Sequence, residues 1–154
     1  MRKIVLAIGI VLALGAGAAT AQTTTDQIAQ LRAEIQADRQ SVVAHNLGLT
    51  DQEGMAFWPL YREYRGALAP IGDRMVKLIT DYANTWEAVP DAQATAMLDE
   101  FLSIKKQELK VKEQYVTKFR KVLPAKKVTR FYQIENKLDA IVATGLAGDI
   151  PLVP

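Results

Sequence analysis

The sequence has no cysteine. Disulfides and thiolate metal sites are therefore excluded, and so is a lipid anchor at a new N-terminus, which needs a cysteine to acylate. A single histidine, His45, leaves little for an imidazole-based metal centre, because zinc and copper sites draw three or four ligands mainly from His and Cys. No glycine-rich phosphate loop, G-x-S-x-G turn or nucleophile–base constellation occurs. The one long apolar run, Ile4 to Leu14, is about half of the ~20 residues that cross a bilayer as a helix. Strand-type alternation is missing too. These absences lead to the expectation of a non-enzymatic protein with no cofactor.

That apolar run belongs to a leader. Arg2 and Lys3 precede it, small residues from Gly15 follow it, and Ala19-Thr20-Ala21 has the A-x-A form of a signal-peptidase site. Residues 1–21 are read as a signal peptide and 22–154 as a single helical domain with a short apolar tail. The mature chain is expected to begin at Gln22, in the periplasm, with no stable membrane insertion after cleavage.

Net charge is also missing once the leader is removed. The chain carries 19 basic and 17 acidic residues, and two of the basic ones are Arg2 and Lys3. No nucleic-acid partner is expected of a neutral exported protein. The charge is sorted, however. Residues 22–100 hold six basic and twelve acidic residues, whereas residues 101–154 hold eleven and five. Halves of −6 and +6 can pack on each other or offer a basic face to an acidic partner.

What is present is helical periodicity. The first pattern runs from Asp26 to Leu47 with Ile28, Leu31, Ile35 and Val42, capped by Thr25 or Asp26 and released at Gly48. The second places Phe57, Tyr61, Tyr64, Leu68, Ile71, Met75, Leu78 and Tyr82 on a heptad seam. Thr50 to Glu53 forms a capping box before it, and Pro59 and Pro70 are expected to kink or divide it. The third, from Pro90-Asp91 to Val122, carries Met97, Leu98, Phe101, Leu102, Ile104, Leu109, Val111, Tyr115, Val116 and Phe119. Lys105 and Lys112 are expected along its edge with their ammonium groups in water. The fourth starts at Pro124, uses Val128, Phe131, Ile134, Leu138 and Ile141, and ends at Gly145 or Gly148. The fold class is all-α: a four-helix, hairpin-like elongated bundle with a Pro-kinked second helix.

The helix starts also carry a motif. Leu49-Thr50-Asp51-Gln52-Glu53 is echoed at Val89-Pro90-Asp91-Ala92-Gln93, although the first copy ends in Glu53 and the second opens on Val-Pro. With the leader and the helical layout, this resembles the periplasmic LTXXQ-motif family, the Spy/CpxP-like proteins. Phe57-Trp58-Pro59-Leu60-Tyr61 and Phe119-Arg120-Lys121-Val122-Leu123-Pro124 resemble a little-characterised branch of it. The resemblance implies a helical, often dimeric protein that holds unfolded clients or serves envelope-stress signalling. Leu49, Thr50, Glu53 and Gln93 are its motif positions here.

Other candidates follow from residue type. Ten basic residues fall between Lys105 and Arg130, and all eleven aromatics lie between Phe57 and Tyr132. Lys105, Lys106, Lys126, Lys127 and Arg130, with Trp58, Trp86 and Tyr132, form a candidate surface for unfolded or envelope proteins, set against a solvated face and ordinary edge packing. His45 with Asp38 is weighed as a metal contact, and Asp51-Glu53 and Asp99-Glu100 as acid–base pairs, each against a structural role. The expected function is a chaperone-like or envelope-stress protein. The alternative is a regulatory module docking one envelope partner.

Overall fold

The computed structural model describes residues 37–153, apart from the side chains of 147–149. Residues Arg39–Pro154 form one compact unit, and the unit before it, Met1–Asp38, falls almost wholly outside the described residues. The leader, the first cap at Thr25 or Asp26, and Ile28, Leu31 and Ile35 lie outside them too.

Four helices and no strand occur among the described residues, as the all-α reading expects. Helix α1 is described over 37–47, α2 is Asp51–Ala83, α3 is Asp91–Phe119 and α4 is Ala125–Asp149. One turn of 3-10 helix, Trp86–Ala88, joins α2 to α3. Each helix runs antiparallel to the next. Arg74 meets Glu100 and Tyr64 meets Tyr115 between α2 and α3, while Lys112 meets Asp139 between α3 and α4.

Local chemistry sets the first joint. Gly48 leaves α1 at φ 61°, where a Cβ would be strained. Two residues later the Thr50 hydroxyl accepts the Glu53 N–H at 3.3 Å and the Glu53 carboxylate accepts the Thr50 N–H at 2.8 Å. That reciprocal box starts α2. The helix runs unbroken across Pro59 and Pro70. Each ring deprives a carbonyl four residues back of its donor, and those residues, Met55 and Gly66, are exposed.

The core sits at the α1 end of the molecule. Phe57, Tyr61 and Tyr64 of α2 pack on Tyr115 and Phe119 of α3, Phe131 of α4, and Val43 and Leu47 of α1. The rings interlock edge-on and tilted, with Phe119 and Phe131 at 4.8 Å between centroids. Such pairs add about 0.5–1.5 kcal/mol beyond the area they bury. Past Ile71 on α2, and before Ile104 on α3, no residue is fully buried.

Several sequence expectations shift here. In α1 the inward positions are Arg39, Val43 and Leu47, and Val42 turns outward. The broad apolar stripe of α3 splits in two. Ile104, Tyr115 and Phe119 face the core, whereas Leu98, Phe101, Leu102 and Leu109 face solvent. Helix α3 ends at Phe119 rather than Val122, and α4 ends at Asp149, one residue past Gly148, the second of its two expected exits. Pro124 is the residue before α4 rather than its first turn.

Candidate protein-interaction surface

Three of the anticipated surface residues are tied to the fold by hydrogen bonds. Lys127 donates to the Gly48 carbonyl at 2.8 Å and pairs with the Glu53 carboxylate, while Arg130 Nε donates to the Asn46 carbonyl at 2.6 Å. Both cations thus satisfy carbonyls at the C-terminal end of α1, where the helix dipole favours positive charge. The Lys127 bond also draws the Glu53 carboxyl below its ordinary pKa, with help from the Thr50 N–H. Tyr132 packs against Phe119 and Phe131, and its hydroxyl donates to the Lys112 carbonyl at 3.0 Å. Burial raises its pKa.

Beneath this end lies an ionic cluster that the periodicity did not reveal. Arg39 of α1 reaches Glu135 at 3.1 Å and Asp139 at 2.9 Å, and Arg65 of α2 reaches the same Glu135 oxygen at 3.2 Å. Lys112 of α3 bonds Asp139 at 3.0 Å and Glu108 at 2.6 Å. Its ammonium is therefore paired rather than left in water. All four helices meet through these charges. Desolvation raises the Glu135 pKa despite Arg39 and Arg65, since its side chain is 2% exposed. Asp139 is less enclosed, and there Arg39 and Lys112 overcome desolvation and lower the pKa. Glu135 Oε1 and the hydroxyls of Tyr61 and Tyr64 have no hydrogen-bond partner among the described residues. Burial, reinforced by Glu135, pushes Tyr61 up to about 12.

The remaining candidates do not share one surface. Trp58 is half-buried against Phe57 and Tyr61, lining a groove of about 550 Å³ with Ala44, Met55 and Arg62. Trp86 lies 28 residues further on, beyond the far end of α2, about 40 Å away along a helix of 1.5 Å rise. Gln93 starts no second capping box. Its amide donates to the Thr85 hydroxyl at 3.3 Å, while Pro90 precedes α3 without a side-chain cap. His45 and Asp38 are exposed, and no group of three metal-ligating side chains occurs among the described residues. Glu100 accepts from Nε and from one terminal nitrogen of the Arg74 guanidinium, each at 2.8 Å, which ties α3 to α2.

What the fold does assemble is the outer face of α3. Leu98, Leu102 and Leu109 are 57%, 55% and 58% exposed, with Phe101 at their margin. Lys105 and Lys106 stand between them and Lys110 follows, all exposed. Lys105 is tied to Glu108 at 3.1 Å, but Lys106 and Lys110 make no ion pair among the described residues. A second group of cations with no ion pair among the described residues, Arg120, Lys121, Lys126 and Lys137, lies along the α3–α4 turn and the outside of α4. The α3 face was legible as apolar periodicity, and only its outward direction was not. No protein-family model, curated protein or solved structure matches the chain.

Proposed function

We propose that this is a non-enzymatic binding protein of the periplasm that holds unfolded or partly folded proteins on the outer face of α3. The observation that carries the reading is the run of exposed leucines, Leu98, Leu102 and Leu109, with the unpaired cations of Lys106 and Lys110 beside them. Exposed leucines on one helix face, with cations beside them, are the kind of surface that binds other chains. It suits unfolded chains, which offer apolar segments in no fixed geometry, and the lysines add long-range attraction to acidic clients. The layout resembling the LTXXQ-motif family agrees with this. Export, with cleavage between Ala21 and Gln22, is part of the same reading, and the intact mass of the secreted protein tests it.

The functional test is light scattering of several unrelated clients, unfolded by reduction or heat, with stoichiometric protein and no ATP. Suppression that disappears when Leu98, Leu102 and Leu109 are all replaced by Ser, with helical content unchanged, supports the reading. The cations Arg120, Lys121, Lys126 and Lys137 favour a second one, a module docked on one acidic envelope partner. In that case suppression is absent and a single partner is retained, sensitive to those four residues and not to the leucines.

A further inference from the structure

Charge of one sign gathers where α3 passes into α4. Between Gln114 and Lys137 the sequence holds seven cations and one acid, Glu135. Glu135 is buried and taken up by Arg39 and Arg65, just as Asp139 beyond it is taken up by Arg39 and Lys112. Two of the cations are neutralised as well, Lys118 by Glu63 at 3.7 Å and Lys127 by Glu53. Arg120, Lys121, Lys126, Arg130 and Lys137 remain exposed, with no ion pair among the described residues. Arg130 keeps its full charge, since its partner is the Asn46 carbonyl.

Helical spacing lines three of these up. Lys126, Arg130 and Lys137 follow one another at four and seven residues, so they share one face of α4. Arg120, at the end of α3, stands beside that face across a groove of about 400 Å³ that Thr129, Gln133 and Asn136 also line. Those three side chains offer hydrogen bonds without charge. We propose that this face docks on an anionic phospholipid surface, with Lys126, Arg130 and Lys137 against the lipid phosphates and the Arg120 groove around one headgroup.

The same cations suit an acidic protein by charge alone, and what separates the two occupants is the lack of an apolar anchor. Protein interfaces draw most of their affinity from a few aromatic or apolar side chains buried at the centre. Every exposed residue of α4 from Lys126 to Lys137 is charged or hydrogen-bonding, and the first large apolar one is Ile141, a turn further on. A bilayer surface asks for no anchor. It presents a dense array of phosphates, and each Lys or Arg held near it strengthens binding about fivefold. Among the described residues no helix is long and apolar enough to cross a membrane, and the contact is peripheral and reversible. It does not depend on client holding, which uses the leucines of α3.

Co-sedimentation of the purified protein with lipid vesicles tests the docking. Binding is expected to vesicles of mixed phosphatidylglycerol and phosphatidylcholine, to be absent with phosphatidylcholine alone, and to fall as sodium chloride rises. Lys126→Gln and Lys137→Gln should each lower partition about fivefold, and the double variant about twenty-five-fold, with circular dichroism unchanged. Lys126→Arg/Lys137→Arg keeps the charge and should keep the binding. Lys77→Gln removes the same charge from an exposed site on α2 and should change partition by less than about twofold. Equal binding to both kinds of vesicle overturns the proposal, and so does a Lys126→Gln/Lys137→Gln variant that binds like wild type. Tighter binding to poly-glutamate than to vesicles of equal anionic charge also overturns it, and assigns the face to an acidic protein. Binding of glycerol phosphate without binding of vesicles reduces the groove to a small-anion pocket and refutes the docking. Client assays contain no lipid, so failure of client holding and failure of docking are read separately.

Discussion

Arg39 and Glu135 stand 96 residues apart in sequence and 3.1 Å apart in the fold, with side chains 7% and 2% exposed. This contact fixes α1 to α4, and Arg65 joins it from α2. Removing one member of a buried pair strands the other charge away from water. Arg39→Met is therefore expected to destabilise the protein by about 3–5 kcal/mol in urea melts. The double variant Arg39→Met/Glu135→Leu should regain a clear part of that loss, because neither charge is then stranded. A cost below ~1 kcal/mol for Arg39→Met would show that Val43, Leu47 and the bonds from Lys127 and Arg130 hold α1 without the ionic cluster.

The cluster also predicts the shape of stability against pH. Glu135 has its pKa raised from 4.5 by desolvation, so the folded state binds its proton more readily than the unfolded chain. Stability on this account increases as pH falls from neutrality towards 4.5. Asp139 has the opposite sign. Its pKa is lowered from 3.8 because Arg39 and Lys112 outweigh desolvation, and its contribution is lost at lower pH as it is protonated. Glu135→Gln removes the first effect and keeps the second. Urea midpoints measured between neutrality and pH 4.5 should rise for the wild type relative to the Gln variant. Parallel curves would mean that Glu135 is not desolvated in solution.

Lysines that look alike in sequence should behave differently. Lys127→Gln removes the bonds to Gly48 and Glu53 and should lower the melting temperature, whereas Lys106→Gln should leave it unchanged. Thr50→Ala should cost roughly 1 kcal/mol as a lost N-cap, with client binding intact. Differential scanning calorimetry of the three variants settles both points. A binding defect in Thr50→Ala at wild-type stability would give the motif a role beyond capping.

How far the sequence could be read depended on the range of each interaction. The capping box at Thr50–Glu53, the glycine exit at Gly48 and the seam of α2 depend on residues a few positions apart, and all were legible. Helix α3 was harder because apolar residues occupy much of its circumference. Periodicity showed one stripe where packing makes two, since only the partner helix decides that Tyr115 and Phe119 turn inward while Leu98 and Leu109 do not. Arg39 and Glu135 were invisible because charged residues at inward positions read as surface until their partners are known. A faint signal existed. Glu135 follows Phe131 by four residues, on the face that Phe131 buries. Lys127 and Arg130 gave none, since Arg130 bonds a backbone carbonyl and Lys127 a carbonyl and a carboxylate that are both remote in sequence.

The functional prediction combines these results. If α3 holds clients by apolar contact, with Lys106 and Lys110 adding attraction, the two contributions separate under salt. Charges on a surface are screened beyond about 8–10 Å at physiological ionic strength, whereas burial of leucine is not weakened by salt in this way. Aggregation of an acidic client should therefore be suppressed less well as sodium chloride rises, levelling at a residual supplied by Leu98, Leu102 and Leu109. Lys106→Gln/Lys110→Gln should show that residual already at low salt, with little further salt dependence. Replacing the three leucines by Ser should remove the residual and leave at most a weak, salt-sensitive effect. Light scattering at several salt concentrations, with folding checked by circular dichroism, measures all of these. If the lysine variant matched the wild type at every salt concentration, the cations on α3 would have no part in client binding. If the leucine variant matched it, clients would bind elsewhere on the molecule, and the basic outside of α4 would become the surface to test.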